Sequence, residues 1–173
     1  AARLPLRTGS ADNLIMVDLV HHLPRPARFF EEAARVLRSG GRIVMVEPYI
    51  SPASRLVFRL GHREPVDLGA DPLPETGAPV FGETGAFASN QAIPTLLFGR
   101  DRGRFEQRFP ALGLKERRLL SVFVYPLSGG FSGPCLVPRW AHRLAWRLEG
   151  VLYPLRRLLA FRMLVVLEKR LGL

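Results

Sequence analysis

Cysteine is nearly missing from this sequence, with Cys135 the only one in 173 residues. A single thiol cannot close an internal disulfide, and so sparing a use of cysteine fits a reducing compartment. With Pro134 beside it and no histidine close by in sequence, Cys135 reads as a packed side chain rather than a nucleophile. CxxC pairs and His/Cys sets at zinc spacing are also missing, so no metal site is expected. Lysine is almost absent, since Lys115 and Lys169 are the only two among 25 basic residues. The net charge of +10 therefore reads first as a general preference for arginine, and second as an attraction to phosphate or anionic lipid. No apolar run approaches the ~20 residues that cross a bilayer. The start, with Arg3 and Arg7 followed by turn formers, is unlike a signal peptide. A cytoplasmic chain is expected, with peripheral attachment at the inner face of a membrane as an option. At 47% hydrophobic and a mean hydropathy of +0.09, the composition excludes a disordered chain and suits one folded domain. The sequence opens at Ala1 rather than Met, in what reads as mid-domain, so it is expected to be part of a longer domain.

The most organised stretch is residues 10–49. Residues 13–19 form an apolar run of strand length between Asp12 and Asp18, and continuous apolarity predicts a strand buried on both faces. Residues 26–38 have helical spacing. Phe29, Phe30, Ala33, Ala34 and Leu37 share one face, while Arg28, Glu31, Glu32 and Arg35 share the other. Pro26 suits a first helical turn, and Gly40-Gly41 offers the left-handed residue that commonly follows a helix. Residues 42–47 (RIVMVE) form a second buried strand, stopped by Pro48. The unit is βαβ with a right-handed crossover. Ligands of such sheets bind at the carboxyl ends of the strands, which here means residues 18–22 and 47–49.

The leading LPL to Asp12, the loop VHHL, the helix ending Leu37-Arg38-Ser39-Gly40-Gly41 and the strand ending Glu47-Pro48 resemble the second half of a class I S-adenosylmethionine-dependent methyltransferase of the type 11 kind. The resemblance is specific over residues 1–51 and weaker beyond. It implies an α/β fold, a partial Rossmann-like sheet of strands four to seven with flanking helices. Residues 1–50 would hold strand four, a helix and strand five, and residues 51–113 a lid or acceptor region. Residues 114–173 would hold strand six, basic amphipathic helices, and an antiparallel strand seven between five and six, all within one domain spanning 1–173. It also implies S-adenosylmethionine as cofactor, held by Ala2, Val17, Asp18, Leu19 and His22. The glycine-rich loop after the family's first strand and the acidic end of its second are not in this sequence, so the chain alone is expected to bind cofactor weakly and to lack turnover.

Methyl transfer from a sulfonium is an in-line displacement in which the protein positions two reactants and manages one proton. His21 and His22 lie where cofactor and acceptor would meet, and neutral imidazole suits proton acceptance near neutral pH. Packing or loop capping is the other role open to each. Glu47 is the third catalytic candidate, with capping of backbone amides as its other role. The acceptor expected is a small, lipid-linked or sugar-containing molecule.

Residues 51–85 read as irregular, broken by five prolines, with a short helix over 53–60 and acids at Asp67, Asp71, Glu75 and Glu83. Residues 88–109 return to helical texture with Ser89 or Asn90 as cap. There Arg100, Arg102, Arg104 and Arg108 read first as a solvated face and second as a phosphate patch. Residues 114–125 predict a strand and 128–134 a glycine-rich loop. Residues 138–152 predict an amphipathic helix with Arg139, Arg143 and Arg147 at four-residue intervals. A shorter basic helix follows over 155–161, and a closing strand over 162–169. From residue 135 onward eight Lys/Arg stand against Glu149 and Glu168, a net of +6. The basic helix either covers a face of the sheet or lies on a membrane through residues 139–162. Two non-catalytic readings therefore compete with the methyltransferase, a membrane-peripheral domain and a nucleic-acid-binding one. The sequence argues against the second, having neither stacking motifs nor a helix-turn-helix, and neither explains residues 10–49.

Overall fold

A computed structural model describes residues 3–61, 64–82, 88–129 and 133–171. The first strand, β1 (Ala11–Val17), leads through a single 3₁₀ turn (Val20–His22) to α1 (Pro26–Val36) and β2 (Leu37–Pro48). Then come α2 (Pro52–Gly61), α3 (Ile93–Thr95), a π-helical turn (Leu96–Arg100), α4 (Arg102–Arg108) and β3 (Leu112–Leu120). The short α5 (Val124–Leu127), a 3₁₀ turn (Arg139–Ala141), α6 (His142–Leu152), another 3₁₀ turn (Tyr153–Leu155), α7 (Arg156–Leu159) and β4 (Arg162–Lys169) complete the chain. The four strands form one sheet in the order β1-β2-β4-β3. β1 and β2 pair in parallel, and β4 runs antiparallel between β2 and β3. This is the α/β arrangement expected, with the last strand inserted antiparallel.

The core lies on one face of that sheet. Ile43 and Met45 of β2 and Met163, Val165 and Leu167 of β4 are all fully buried there against α1 and the π turn. Phe30 of α1 is the centre of an aromatic cluster, with ring centroids 4.9 Å from Phe105, 5.7 Å from Phe109 and 6.1 Å from Phe98, the Phe98 and Phe105 contacts edge to face. The expectation that β1 is buried on both faces does not hold. Ile15 is 76% exposed and Val17 is half exposed, because β1 is the outer strand and these side chains point away from the packed face.

Several predicted boundaries move for identifiable reasons. α1 stops at Val36, two residues short of the predicted end, because Leu37 turns extended and pairs with Ala11. Gly40 takes the left-handed conformation (φ 77°) inside the entry to β2. A Cβ on Gly41 would lie 2.9–3.1 Å from three backbone carbonyls, so close approach demands that glycine. β3 ends at Leu120, not at residue 125, because Ser121 adopts φ 51° and leaves the ladder. The chain then turns into α5, where the Glu149 carboxylate accepts from the amides of Phe123 and Val124.

Residues 88–109 hold three short helical pieces rather than one helix, and Asn90 Oδ1 accepts from the Ala92 amide as a local cap. Arg100, Arg104 and Arg108 are neither a free solvated face nor an open phosphate patch. Arg100 donates to the carbonyls of Leu68 and Ala70, Arg104 to Asp71 and the Leu73 carbonyl, and Arg108 to the Pro74 carbonyl. They clamp the proline-rich segment to the helices. Cys135, expected to be packed, is exposed. α6 does not cover the sheet, since it buries only Ala145 and Glu149 and leaves the rest of its surface open or half open. No helix among the described residues is long and apolar enough to cross a membrane. Glu83 and residues 130–132 of the glycine-rich loop lie outside the described residues.

Candidate active site

The carboxyl ends of β1 and β2 and the start of β4 open into one cavity of about 440 Å³. Asp18, His21, His22, Gln91, Tyr125 and Arg162 line it, with Glu64 and Phe58 on the α2 side. The chain reaches this cavity from β1 through Asp18, which is left-handed (φ 51°) and donates its amide to the Val46 carbonyl at 3.0 Å. Aspartate tolerates that conformation better than most residues. The turn aims the next two amides at β2. There Glu47 Oε1 accepts from Leu19 N–H at 3.0 Å and from Val20 N–H at 2.8 Å. Glu47 is fully buried, and its other oxygen, Oε2, lies 2.9 Å from His21 Nδ1.

Those contacts fix the imidazole. A carboxylate surrounded by donors can only accept, so Nδ1 carries the hydrogen that meets Oε2. The lone pair of a neutral His21 is therefore on Nε2, on the cavity side, 3.5 Å from Glu64 Oε2. His22 stacks at a tilt on His21, with centroids 4.2 Å apart, and its Nε2 is 3.7 Å from Glu64 Oε1. Gln91 Nε2 donates to Glu64 Oε2 and holds that carboxylate in place. Across the cavity Arg162 pairs with Asp18 at 2.5 Å, lies over the Tyr125 ring with 4.7 Å to its centroid, and donates to the Tyr125 hydroxyl at 3.2 Å. The Asp18 contact is an ion pair by distance without hydrogen-bond direction, which leaves Asp18 Oδ1 buried with no hydrogen-bond partner among the described residues. Burial pushes the Tyr125 phenol above its ordinary range, and the nearby Arg162 charge pulls the other way. The hydroxyl is accordingly a proton-bearing group at neutral pH.

The structure brings His21, His22 and Glu47 together, and it places Val17, Asp18 and Leu19 on the same strand end. Ala2 lies outside the described residues. Glu47 does not face the cavity. It spends its acceptors on two amides and one imidazole, so it orients His21 rather than meeting an acceptor. Sequence reasoning missed Glu64, Gln91, Tyr125 and Arg162. Only Arg162 had a legible signal, a charge opening an otherwise apolar strand. Although the sequence shows no metal-ligand spacing, the ligand atoms of His21, His22 and Glu64 lie within 4.8 Å of one another, and those of Asp18, His21 and Glu47 do as well. The first set could hold a divalent cation, at the cost of occupying Nε2.

Residues 1–45 match the family model described as a methyltransferase domain. The match takes in the first strand, α1 and the start of β2, about a quarter of the chain. The sheet order and its antiparallel last strand agree with that fold. Solved structures similar to this chain include the [4+2]-cyclase SpnF, at 16% identity, covering 99% of this chain and 55% of that one with a TM-score of 0.47. Another is an S-adenosylmethionine-dependent methyltransferase from Methanosarcina mazei, at 16% identity over 99% of this chain and 65% of that one, TM-score 0.49. A third is the geranyl diphosphate C-methyltransferase of Streptomyces coelicolor in complex with Mg2+, geranyl diphosphate and S-adenosyl-L-homocysteine, at 13% identity, 97% and 50% coverage, TM-score 0.46. The chain thus spans between half and two thirds of the length of these structures. A comparison with curated proteins gives no match.

Proposed function

We propose that this domain transfers a methyl group from S-adenosylmethionine to a small or lipid-linked acceptor bearing a hydroxyl or amine, with His21 as general base. The observation that carries the reading is the buried Glu47–His21 pair at 2.9 Å, which directs Nε2 toward a cavity at the carboxyl ends of parallel strands. The residues present fit one side of the cofactor. Val17 and Leu19 keep apolar surface open at the end of β1, and the backbone there is locked by Glu47. Val17, Asp18, Leu19 and His22 would hold the cofactor on that side. When bound, it supplies an already activated methyl group.

The chain's own part is then positional and protonic. Glu47 keeps His21 in one tautomer and one orientation. Nε2 takes the proton from the acceptor O–H or N–H as the acceptor's lone pair forms its new bond to carbon. Glu64, 3.5 Å from Nε2, stabilises the imidazolium that results. Tyr125 and Arg162 offer donors on the opposite wall, suited to fixing a polar group of the acceptor. Acid–base assistance of this kind is worth about 10²–10⁴ in rate.

The test is transfer of a labelled methyl group by this chain joined to a glycine-rich cofactor-binding half of the fold, and by its His21→Ala variant, across candidate acceptors carrying hydroxyl or amino groups. Loss of roughly two orders of magnitude or more in kcat for His21→Ala, with folding retained, is expected. Full turnover by that variant would refute the assignment of the base.

A further inference from the structure

We propose that the outer surface of residues 139–158 seats this domain on an anionic membrane. The proposal stands apart from the methyl-transfer reading, since it uses no residue of the cavity.

The segment divides into three surfaces. Ala145 and Glu149, four residues apart on α6, face inward, and Glu149 spends its carboxylate on the Phe123 and Val124 amides of α5. A second stripe is apolar and open. It comprises Leu144, Leu148 and Val151 at helical spacing, extended by Trp140 before α6 and Leu155 after it, with Trp140 81% and Val151 74% exposed. A third carries Arg139, Arg143 and Arg147, all exposed, with Arg157 beyond. None of these four arginines makes an ion pair or side-chain hydrogen bond among the described residues. The one carboxylate between residues 139 and 158 is Glu149, which is buried, so every formal charge this surface shows to solvent is positive.

Either property alone has a bland reading. Arginines on a helix are commonly a solvated face, and single exposed leucines are common. Together they are less bland, because four arginines flank an open apolar stripe with no exposed carboxylate among them, whereas several arginines elsewhere are paired. Arg35, Arg42, Arg100, Arg102 and Arg104 all pair with carboxylates, and Arg100 and Arg104 also bond backbone carbonyls. A duplex or single strand of nucleic acid would satisfy the arginines but would leave Leu144, Leu148, Val151 and Leu155 in water. A neutral apolar partner would bury the leucines and strand the charges. Headgroup phosphates above acyl chains match both, with the guanidinium groups snorkelling and the indole of Trp140 at the boundary.

The experiment uses an internal reporter, since Trp140 and Trp146 are the protein's two tryptophans and Trp140 lies on the proposed surface. Intrinsic fluorescence and co-sedimentation are measured on the intact chain with vesicles of phosphatidylcholine, with and without phosphatidylglycerol, and in parallel with a duplex oligonucleotide. A blue shift and pelleting with the anionic vesicles alone, weakened by salt, are expected. The double variant Arg143→Gln/Arg147→Gln should lose about 30-fold in partitioning, from the contribution of each basic residue near an anionic surface. Leu148→Ser/Val151→Ser should lose the blue shift while circular dichroism stays native. Absence of any shift or pelleting with anionic vesicles would overturn the proposal. So would binding to the oligonucleotide without binding to vesicles, which would mark the surface as a nucleic-acid site.

Discussion

Replacing Glu47 by glutamine separates what holds the site together from what makes it react. The carboxylate has three donors around it, the amides of Leu19 and Val20 on Oε1 and His21 Nδ1–H on Oε2. Glutamine keeps the size but offers one carbonyl oxygen and one amino group. Placing the oxygen at Oε1 preserves both amide bonds and turns the amino group on Nδ1. Placing it the other way leaves two buried amides facing a donor, at about 1–3 kcal/mol each. The first arrangement therefore wins, and His21 answers by moving its hydrogen to Nε2, so that Nδ1 accepts. Every bond survives in number, and the loss of charge assistance costs on the order of 1 kcal/mol of stability. The proposed base, however, no longer has a lone pair in the cavity, and on that reading methyl transfer by the domain completed with its cofactor-binding half should fall by about 10²–10⁴. Nitrogen NMR of the His21 ring reads the tautomer without knowledge of the acceptor, while urea titration and labelled methyl transfer read the other two quantities. A wild-type His21 already protonated on Nε2 in its neutral form, or a Glu47→Gln protein that transfers methyl groups at the normal rate, would refute the reasoning.

Three other perturbations follow from the geometry. Phe30→Ala removes a fully buried ring from a cluster of five and should cost about 3–5 kcal/mol in chemical denaturation; a loss near zero would mean the cluster contributes no net packing. Gly41→Ala puts a methyl group 2.9 Å from the Arg38 carbonyl and 3.0 Å from that of Asp12, and should cost about 1–3 kcal/mol with β1 loosened, visible as faster amide exchange at residues 13–17. The Arg104 guanidinium bonded to Asp71 holds that carboxyl below its usual range. A carboxyl lowered on folding adds stability above its unfolded value, roughly pH 4, and loses it as the pH drops toward the folded value. Asp71→Asn should thus lower stability slightly at neutral pH, slightly because the pair is half exposed, leave it unchanged at low pH, and so flatten the acid limb by the same small amount; an unaltered acid limb would show that the pair does not form in solution.

The βαβ core was legible because its signals are local. The spacing of Phe29, Phe30 and Ala33 marks a helix, Gly40-Gly41 mark a turn, and the run ending in Glu47 marks a strand. Even β4 could be placed from eight residues and a resemblance. What could not be read were properties that depend on neighbours. Ile15 and Val17 look like core residues in sequence, yet β1 is the sheet's outer strand and one of its faces is open. Ser121 carries no mark of a strand end, since its left-handed backbone is set by contacts, among them its hydroxyl accepting the Tyr125 amide at 2.8 Å. The histidines were legible as candidates, whereas the residue that completes them was not. Glu64 sits in a proline-rich stretch with no periodicity, and only the fold carries it to within 4 Å of both rings.

The same dependence explains how Glu47 is divided between roles. A strand-end carboxylate can cap amides or take part in chemistry, and the sequence leaves both open. Here the two are one arrangement. The left-handed turn at Asp18 costs on the order of 1 kcal/mol or more, and its effect is to bring the Leu19 and Val20 amides onto Oε1. With that oxygen saturated, the carboxylate cannot rotate, and Oε2 is left in one place, against Nδ1. The orientation of His21 thus rests on backbone geometry in β1 and β2 rather than on any side chain in the cavity. Changes on the cavity wall, at Tyr125, Gln91 or Arg162, should accordingly alter which acceptor binds while leaving the His21 tautomer as it is. A change at Glu47 should do the reverse.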